Sequence, residues 1–456
     1  MSFGSIRATT IRADALRTLR VGLPLIGAQL LQMSNGLVDS IVAGRIGRAE
    51  LAAGGVGASL WFVTALLCIG FMAGLSPTLS RLIGKRDSMS VGRVFRQGIW
   101  LALCVGCLAM TLLFYLRLQL DHFQLADELP DLISDYILGA AASLPFLALV
   151  MAARNVLEAT GVTRPVLIVM ALGLLINGTS SAVLGLGLFG FPALGLFGIG
   201  LSTSVVNLCM AILLFLILTK SRFRRYSLFT SVEMPQLSIL RPMLALSLPI
   251  FLGMLFESGL FVATSLQMGM LGLIESGAHQ IAITASAFCY MLPLGLSFAL
   301  TARVARAEAA GGVVSVRLRI VSAAVLIAVM ALITATVLVV FRQQIAAVYT
   351  DDPIVRNFAA SLLLYGAFFQ LSDGAQITLI GILRGLHDTR VPMIINAFSY
   401  WVVALGLGLF AAHIVGLGAH GLWIGLIAGL SVASVLLGIR LNWKLKNLSA
   451  DQPQST

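Results

Sequence analysis

Residues 195–219 read Gly-Leu-Phe-Gly-Ile-Gly-Leu-Ser-Thr-Ser-Val-Val-Asn-Leu-Cys-Met-Ala-Ile-Leu-Leu-Phe-Leu-Ile-Leu-Thr and carry no charged side chain. A helix rises 1.5 Å per residue and must cover about 30 Å of hydrocarbon, so roughly 20 mostly apolar residues make one membrane span. This stretch is long enough, and it does not alternate as a barrel strand would. A helix also satisfies its own backbone polar groups where lipid offers no partner. Working outward, eleven more such segments lie near 21–44, 51–76, 98–116, 132–153, 165–187, 242–270, 278–302, 320–341, 357–381, 391–413 and 421–443. The expectation is an all-α polytopic membrane protein with 12 transmembrane helices. Composition agrees: of 456 residues 59% are apolar and 11% charged, with a mean hydropathy of +0.98, whereas about a quarter of a soluble domain is charged. A soluble globular domain is excluded. The first segment is too long for a cleaved signal peptide and lacks a small-residue cleavage site, so it reads as a retained span.

The formal charge of +11 would suggest nucleic acid in a soluble chain. Mapped onto the spans it becomes an orientation signal, because Lys and Arg are retained on the cytoplasmic side. Of the 30 basic residues, only Arg45, Arg48, Arg117, Arg342 and Arg356 fall on the other side. Both termini, 1–20 and 444–456, are therefore expected in the cytoplasm, and Asp121, Asp127, Glu128 and Asp131 mark an acidic outer loop. The longest polar interruption, 220–241, begins Lys220-Ser-Arg222-Phe-Arg224-Arg225. It reads as a solvated cytoplasmic linker between an N-terminal lobe, 21–219, and a C-terminal lobe, 242–443. Binding of anionic lipid is the alternative reading of that basic run.

Local patterns recur about half a chain apart. Leu23-Pro24 matches Leu248-Pro249. Arg154, Glu158 and Thr163-Arg164-Pro165 resemble Arg384, Asp388 and Thr389-Arg390-Val391-Pro392. Leu-Gly-Leu-Gly-Leu-Phe occurs at 184–189 and at 405–410, and Gly195-Leu196 matches Gly421-Leu422. Their common order implies a duplication of six spans. An even number of spans per copy makes the repeats parallel, an arrangement in which transporters place the substrate path between halves.

Two motifs suggest chemistry that their setting denies. Gly185-Leu-Gly187-Leu-Phe-Gly190 fits GxGxxG, but it ends a membrane helix instead of following a strand. Cys104 and Cys107 have CxxC spacing with no histidine near, so they read, with Cys68, Cys209 and Cys289, as buried reduced thiols. No HExxH, P-loop or GxSxG element is present.

Four acids fall within spans: Asp39, Asp135, Glu257 and Asp373. Asp135 lies only a few residues into its helix and reads as interfacial. A carboxylate in hydrocarbon costs several kcal/mol unless paired, hydrated or protonated, which makes the other three functional candidates. Gln29, Gln32, Asn35 and Asp39 share one helix face, as do Tyr365, Phe369, Asp373 and Gln376, and Glu257 is followed on its face by Phe261 and Thr264. No Lys or Arg is expected near the centre of any span, so the acids lack a basic partner and read as exchanging a proton, a sodium ion or an organic cation. Tyr365 and Phe369 are secondary candidates for cation–π attraction.

Gln32-Met-Ser-Asn-Gly-Leu-Val-Asp39 with Ala43-Gly44, Phe256-Glu257, Asp373-Gly-Ala-Gln376, Tyr349-Thr-Asp-Asp-Pro353 and Leu383-Arg-Gly-Leu-His-Asp388 together resemble the multidrug and toxic compound extrusion (MATE) family, in its NorM-like branch. The resemblance runs from about residue 15 to 445. It implies a V-shaped molecule of two six-helix lobes related by a parallel pseudo-two-fold repeat. It also implies a secondary active antiporter in a bacterial inner membrane, exporting cationic or aromatic drugs and dyes in exchange for inward sodium ions or protons by alternating access. Asp39 matches the family's N-lobe acid and Asn177 its polar companion on the fifth span. Glu257 and Asp373 match the C-lobe cation-binding acids, the pair that would hold Na+, and Gln32, Asn35, Gln280, Tyr365 and Gln376 are supporting polar candidates. This chain departs from the pattern at Asn177-Gly-Thr179-Ser-Ser181, where relatives carry Asn-x-Pro-x-Asn, and at Thr284, where an Asn is frequent. The resemblance implies no enzyme activity, cofactor or nucleic acid, with membrane lipid as surroundings and a monomer as the working unit. The runner-up is a flippase for lipid-linked sugars, which would need a cationic cavity with Arg or Lys inside several spans.

Overall fold

The computed structural model of the chain describes residues 8–122, 128–231 and 233–450; Arg7, Asp127 and the end of the C-terminal tail lie outside them. All regular structure among the described residues is helical. Ten helices are long and apolar enough to cross a membrane, and a bent pair, α5 (Leu129–Ala140) and α6 (Ser143–Thr160), makes an eleventh span. α1 (Ala8–Ile46) is long enough, but Gln29, Gln32, Asn35 and Asp39 leave it more polar than those ten. It corresponds to the first of the twelve expected spans.

Most helices outrun their apolar segments. α4 covers Ser88–Leu118, α9 Leu237–Leu271, α10 Leu273–Ala309 and α13 Pro353–Gly385. Helical hydrogen bonding continues past the hydrocarbon as long as the sequence permits, and caps end it. Asp87 accepts from the Ser90 N–H at the start of α4, and Asp352 accepts from the Ile354 N–H before Pro353. Two spans break where a proline follows four residues later. Between α2 (Arg48–Met72) and α3 (Leu75–Gly84), Pro77 cannot donate to the Ala73 carbonyl. Between α5 and α6, Pro145 cannot donate to Ala141, and the bend there is 42°.

The chain divides into two compact units. One is Gly27–Phe251, and the other joins the segment ending at Ile26 to the chain from Leu252 onward. The sequence places the division in the 220–241 linker, whereas the units part inside α1 and α9, just beyond Pro24 and Pro249. The first stretch of α1 belongs with the second unit because it is tied there by buried polar contacts. Arg303 donates to the Asp14 carboxylate at 2.6 Å and to the Thr18 hydroxyl at 2.7 Å. The linker is also more than a solvated connector. Phe223, Tyr226 and Leu228 are buried, and α4 side chains bind its backbone.

In the second unit α14 (Arg390–Phe398) runs into π-helical turns at Ser399–Ala404 and Phe410–Ile414, with α15 (Leu405–Leu409) between them. The glycines of α16 (Gly418–Ala450) recur every fourth residue against this span. A Cβ at Gly425 would meet the Gly408 nitrogen at 2.5 Å, and one at Gly429 the Ser399 oxygen at 2.7 Å. Backbone therefore packs on backbone here, the small-residue contact usual between membrane helices, and Tyr400 is buried within it.

Candidate functional site

In the Gly27–Phe251 unit, Asp39 is half-buried on α1 and faces α7 (Arg164–Leu186). Its Oδ1 accepts from Asn177 Nδ2 at 3.1 Å and from Ser181 Oγ at 2.9 Å. Asn177 and Ser181 are four residues apart, so one face of α7 supplies both donors. Thus Ser181, which departs from the family pattern, serves the acid directly. Behind them Ser180 shares a hydrogen bond with Ser202 of α8 (Gly195–Leu218), whose hydroxyl also reaches the Asn177 carbonyl at 3.4 Å. The amide oxygens of Asn35 and Asn177 are buried with no hydrogen-bond partner among the described residues. One carboxylate with nearby amide and hydroxyl oxygens is chemistry suited to a proton or a hard cation. Gln32 lies on the same stripe, half-buried, and Gln29, nearer the N-terminus of α1, accepts from Arg154 at 2.8 Å.

In the second unit Glu257 and Asp373 act electrostatically on one another and on Tyr290 and Tyr400. Tyr290 donates to Glu257 Oε1 at 3.4 Å. Asp373 is 4% exposed. Gln376, one turn along α13, donates to Asn396 Oδ1 at 3.2 Å and to the Tyr400 hydroxyl. Two acids, two phenols and an amide pair from four helices therefore converge. Gln280 stands apart: it is exposed and, among the described residues, bonds only to Thr284, at 3.3 Å. Tyr365 and Phe369 are engaged in aromatic packing, Tyr365 against His420 at 5.3 Å between ring centroids and Phe369 against Trp423 at 5.9 Å. Among the described residues no three His, Cys, Asp or Glu side chains form a metal-holding group.

Two expectations need correction. The helices extend beyond the apolar segments, and their ends carry buried arginines, clear of the span centres: Arg154, Arg303 and Arg384 are each under 8% exposed. Arg384 acts electrostatically on Glu257, so that acid is not without a basic neighbour. Arg154 pairs with Glu158 at 2.7 Å, and Arg303 and Arg319 share Asp14 at 2.6 and 3.8 Å. In the second repeat Asp388 accepts from Arg440 at 2.7 Å. Finally, Cys104 and Cys107 are exposed on α4; only Cys68 among the five free cysteines is buried.

Sequence reasoning missed Tyr290, Asn396 and Tyr400. Asn396 carried a signal, a lone amide within an apolar span. The two tyrosines carried none, because a tyrosine in a membrane helix reads equally as packing.

A multi-pass helical membrane protein with an internal repeat and an acid held by polar side chains within the helices of each compact unit is a transporter by class. The MatE family model matches residues 24–183 and again 249–410, the two copies beginning at Pro24 and Pro249. The chain belongs to the MatE family, whose members are transporters and not enzymes. It is 35% identical over 439 residues to the "Probable multidrug resistance protein NorM" of Xanthomonas campestris pv. campestris, covering 96% of each chain. It is 33% identical over 447 residues to the "Multidrug resistance protein MdtK" of Yersinia enterocolitica, covering 96% of this chain and 97% of that one. Among solved structures it resembles the Vibrio cholerae MATE transporter VcmN in the bent form, with TM-score 0.87 at 20% identity over 97% of this chain and 99% of that one. The eukaryotic MATE transporter AtDTX14 matches with TM-score 0.85 at 17% identity over 96% and 99%.

Proposed function

We propose that this protein is a secondary active efflux antiporter that exports cationic and aromatic compounds, drugs and dyes among them, in exchange for inward sodium ions or protons. The observation that carries the proposal is the convergence of the half-buried Glu257 and Tyr290 on the buried Asp373, Tyr400 and Gln376. Two carboxylates that act on each other cannot both stay ionised at low cost in such a place. A proton or a monovalent cation relieves them, and so does a cationic drug. Competition between ion and drug makes each favour the release of the other, which is negative coupling between ligands. Asp39, held by Asn177 and Ser181, is a second coupling acid. With an interior-negative potential, entry of one monovalent cation supplies about 2.3 kcal/mol per 100 mV. The basic excess supports a reading with both termini on the cytoplasmic side of a bacterial inner membrane, and with a monomer as the working unit.

The test is ethidium efflux from proteoliposomes, driven separately by a sodium gradient and a proton gradient. Asp373→Asn and Glu257→Gln are expected to abolish gradient-driven export while leaving expression intact. Unchanged export in both variants sinks the assignment of these acids, and no export under either gradient sinks the antiporter itself.

A further inference from the structure

The 220–236 segment between α8 and α9 has more structure than an orientation signal requires. An excess of charge suffices to orient a chain during insertion and asks nothing of the folded loop. Here the loop is fastened to α4. Arg96 Nη1 donates to the Ser227 carbonyl at 2.6 Å, Trp100 Nε1 to the Glu233 carbonyl at 2.8 Å and Gln97 Nε2 to the Met234 carbonyl at 3.0 Å. Gln97 Oε1 in turn accepts from the Gln236 N–H at 2.7 Å. Phe223 and Tyr226, three residues apart in the 3₁₀ turn Ser221–Tyr226, point inward and are each 3% exposed. Lys220, Arg222, Arg224 and Arg225 therefore all stand outward on a fixed frame.

Little negative charge opposes them. Glu233, the one acid of the segment, is paired with Arg96, and Asp87 caps α4. Lys85, Arg86 and Arg93 are exposed at the neighbouring end of α3 and α4. Apolar side chains stand out among these cations: Met89, Phe229, Met234 and Leu237 are 73%, 47%, 80% and 77% exposed. The segment joins two membrane spans, so this surface lies at the bilayer boundary. Cations interleaved with outward apolar side chains suit a layer in which phosphates lie above acyl chains.

We infer that the folded 220–236 segment, with the adjoining ends of α3 and α4, is a binding surface for the phosphate headgroups of anionic phospholipids. The inference requires only that α4, α8 and α9 cross the bilayer, and it is independent of what the protein exports.

Native mass spectrometry of the purified full-length protein, titrated with phosphatidylglycerol or phosphatidylcholine, tests it. Lys220→Gln, Arg222→Gln and Arg224→Gln are combined, which leaves Phe223, Tyr226 and the Arg225–Tyr226 contact in place. The control combines Arg12→Gln, Arg20→Gln and Lys446→Gln, an equal loss of exposed charge from the other compact unit. Wild type and control are expected to retain phosphatidylglycerol in preference to phosphatidylcholine. The linker triple is expected to lose that preference, with affinity down on the order of a hundred-fold for three charges. Equal retention by wild type and linker triple overturns the inference. An equal loss in linker triple and control also overturns it, since the effect is then one of net charge. Displacement of the lipid by equimolar inorganic phosphate overturns it as well, in favour of a soluble-anion site.

Discussion

Gly92→Ala in α4 is expected to unlatch the 220–236 segment. A Cβ at Gly92 would stand 2.6 Å from the Ser227 carbonyl oxygen and 3.0 Å from its carbon, with the Tyr226 carbonyl oxygen also in its way. These are backbone atoms and have no rotamer to retreat into. An ordinary carbon–oxygen contact is about 3.3 Å or more, so the segment must shift by roughly 1 Å. That shift carries the Ser227 oxygen, now 2.6 Å from Arg96 Nη1, out of good hydrogen-bonding range. A hydrogen bond to a charged group contributes about 1.5–3 kcal/mol. Partial exposure of Phe223 and Tyr226 adds part of the about 1.5–3 kcal/mol that each full burial is worth. A local cost of about 2–4 kcal/mol follows, which raises the open fraction of the segment roughly 30- to 1,000-fold. Limited trypsin digestion reads this directly, because Lys220, Arg222, Arg224 and Arg225 are cleavage sites within the latched segment and cutting there separates the chain near its middle. Digestion of Gly92→Ala at the wild-type rate would refute the docking argument.

Four further outcomes are expected. Ser181→Ala and Asn177→Ala each remove a donor worth about 1.5–3 kcal/mol to Asp39, so both should impair ethidium export; Ser180→Ala, which leaves the Asp39 contacts in place, should impair it less, and the reverse order would be evidence against the α7 assignment. The hydrogen bond from Arg96 holds the Glu233 carboxyl below its ordinary value of 4.5. Its contribution to docking is therefore complete above that value and lost as pH falls through the lowered one, so Trp100 fluorescence should change in acid for wild type and be flat with pH in Glu233→Gln. Asp14→Asn strands a buried guanidinium at a cost of about 3–5 kcal/mol and should lower the melting temperature in detergent, whereas Asp14→Leu with Arg303→Met should recover much of that loss. Asp87→Ala removes the α4 cap and should cost about 1 kcal/mol, measured as faster hydrogen exchange in the first turn of α4.

The span positions were legible because lipid imposes one local criterion, twenty apolar residues in a row, and each segment meets or fails it alone. The repeat was legible for a similar reason, since Pro24 and Pro249 stand in corresponding strings that need no partner to be seen. The polar stripe ending at Asp39 followed from helical spacing. Its partner Ser181 did not: the departure from the family pattern was visible, but nothing local says that a hydroxyl at that place reaches an acid on α1. Tyr290 and Tyr400 were illegible because a phenol in an apolar helix has the same sequence signature whether it packs or donates. The docking of the linker was illegible because its charges are conspicuous and its anchors, Phe223 and Tyr226, look like any two aromatics in a loop.

Sequence alone determined that the chain is a helical membrane protein, that it is a duplication, and which three acids fall well inside its apolar segments. Hydropathy, repeat spacing and charge are sums over neighbouring residues, and no fold is needed to evaluate them. Only the tertiary structure decided which donors meet those acids, that arginines are buried against Asp14 and Glu158, and that the basic linker is a docked surface. Those outcomes depend on how helices far apart in the chain pack side by side, and a contact such as Asn177 to Asp39 leaves no mark on the residues around either one.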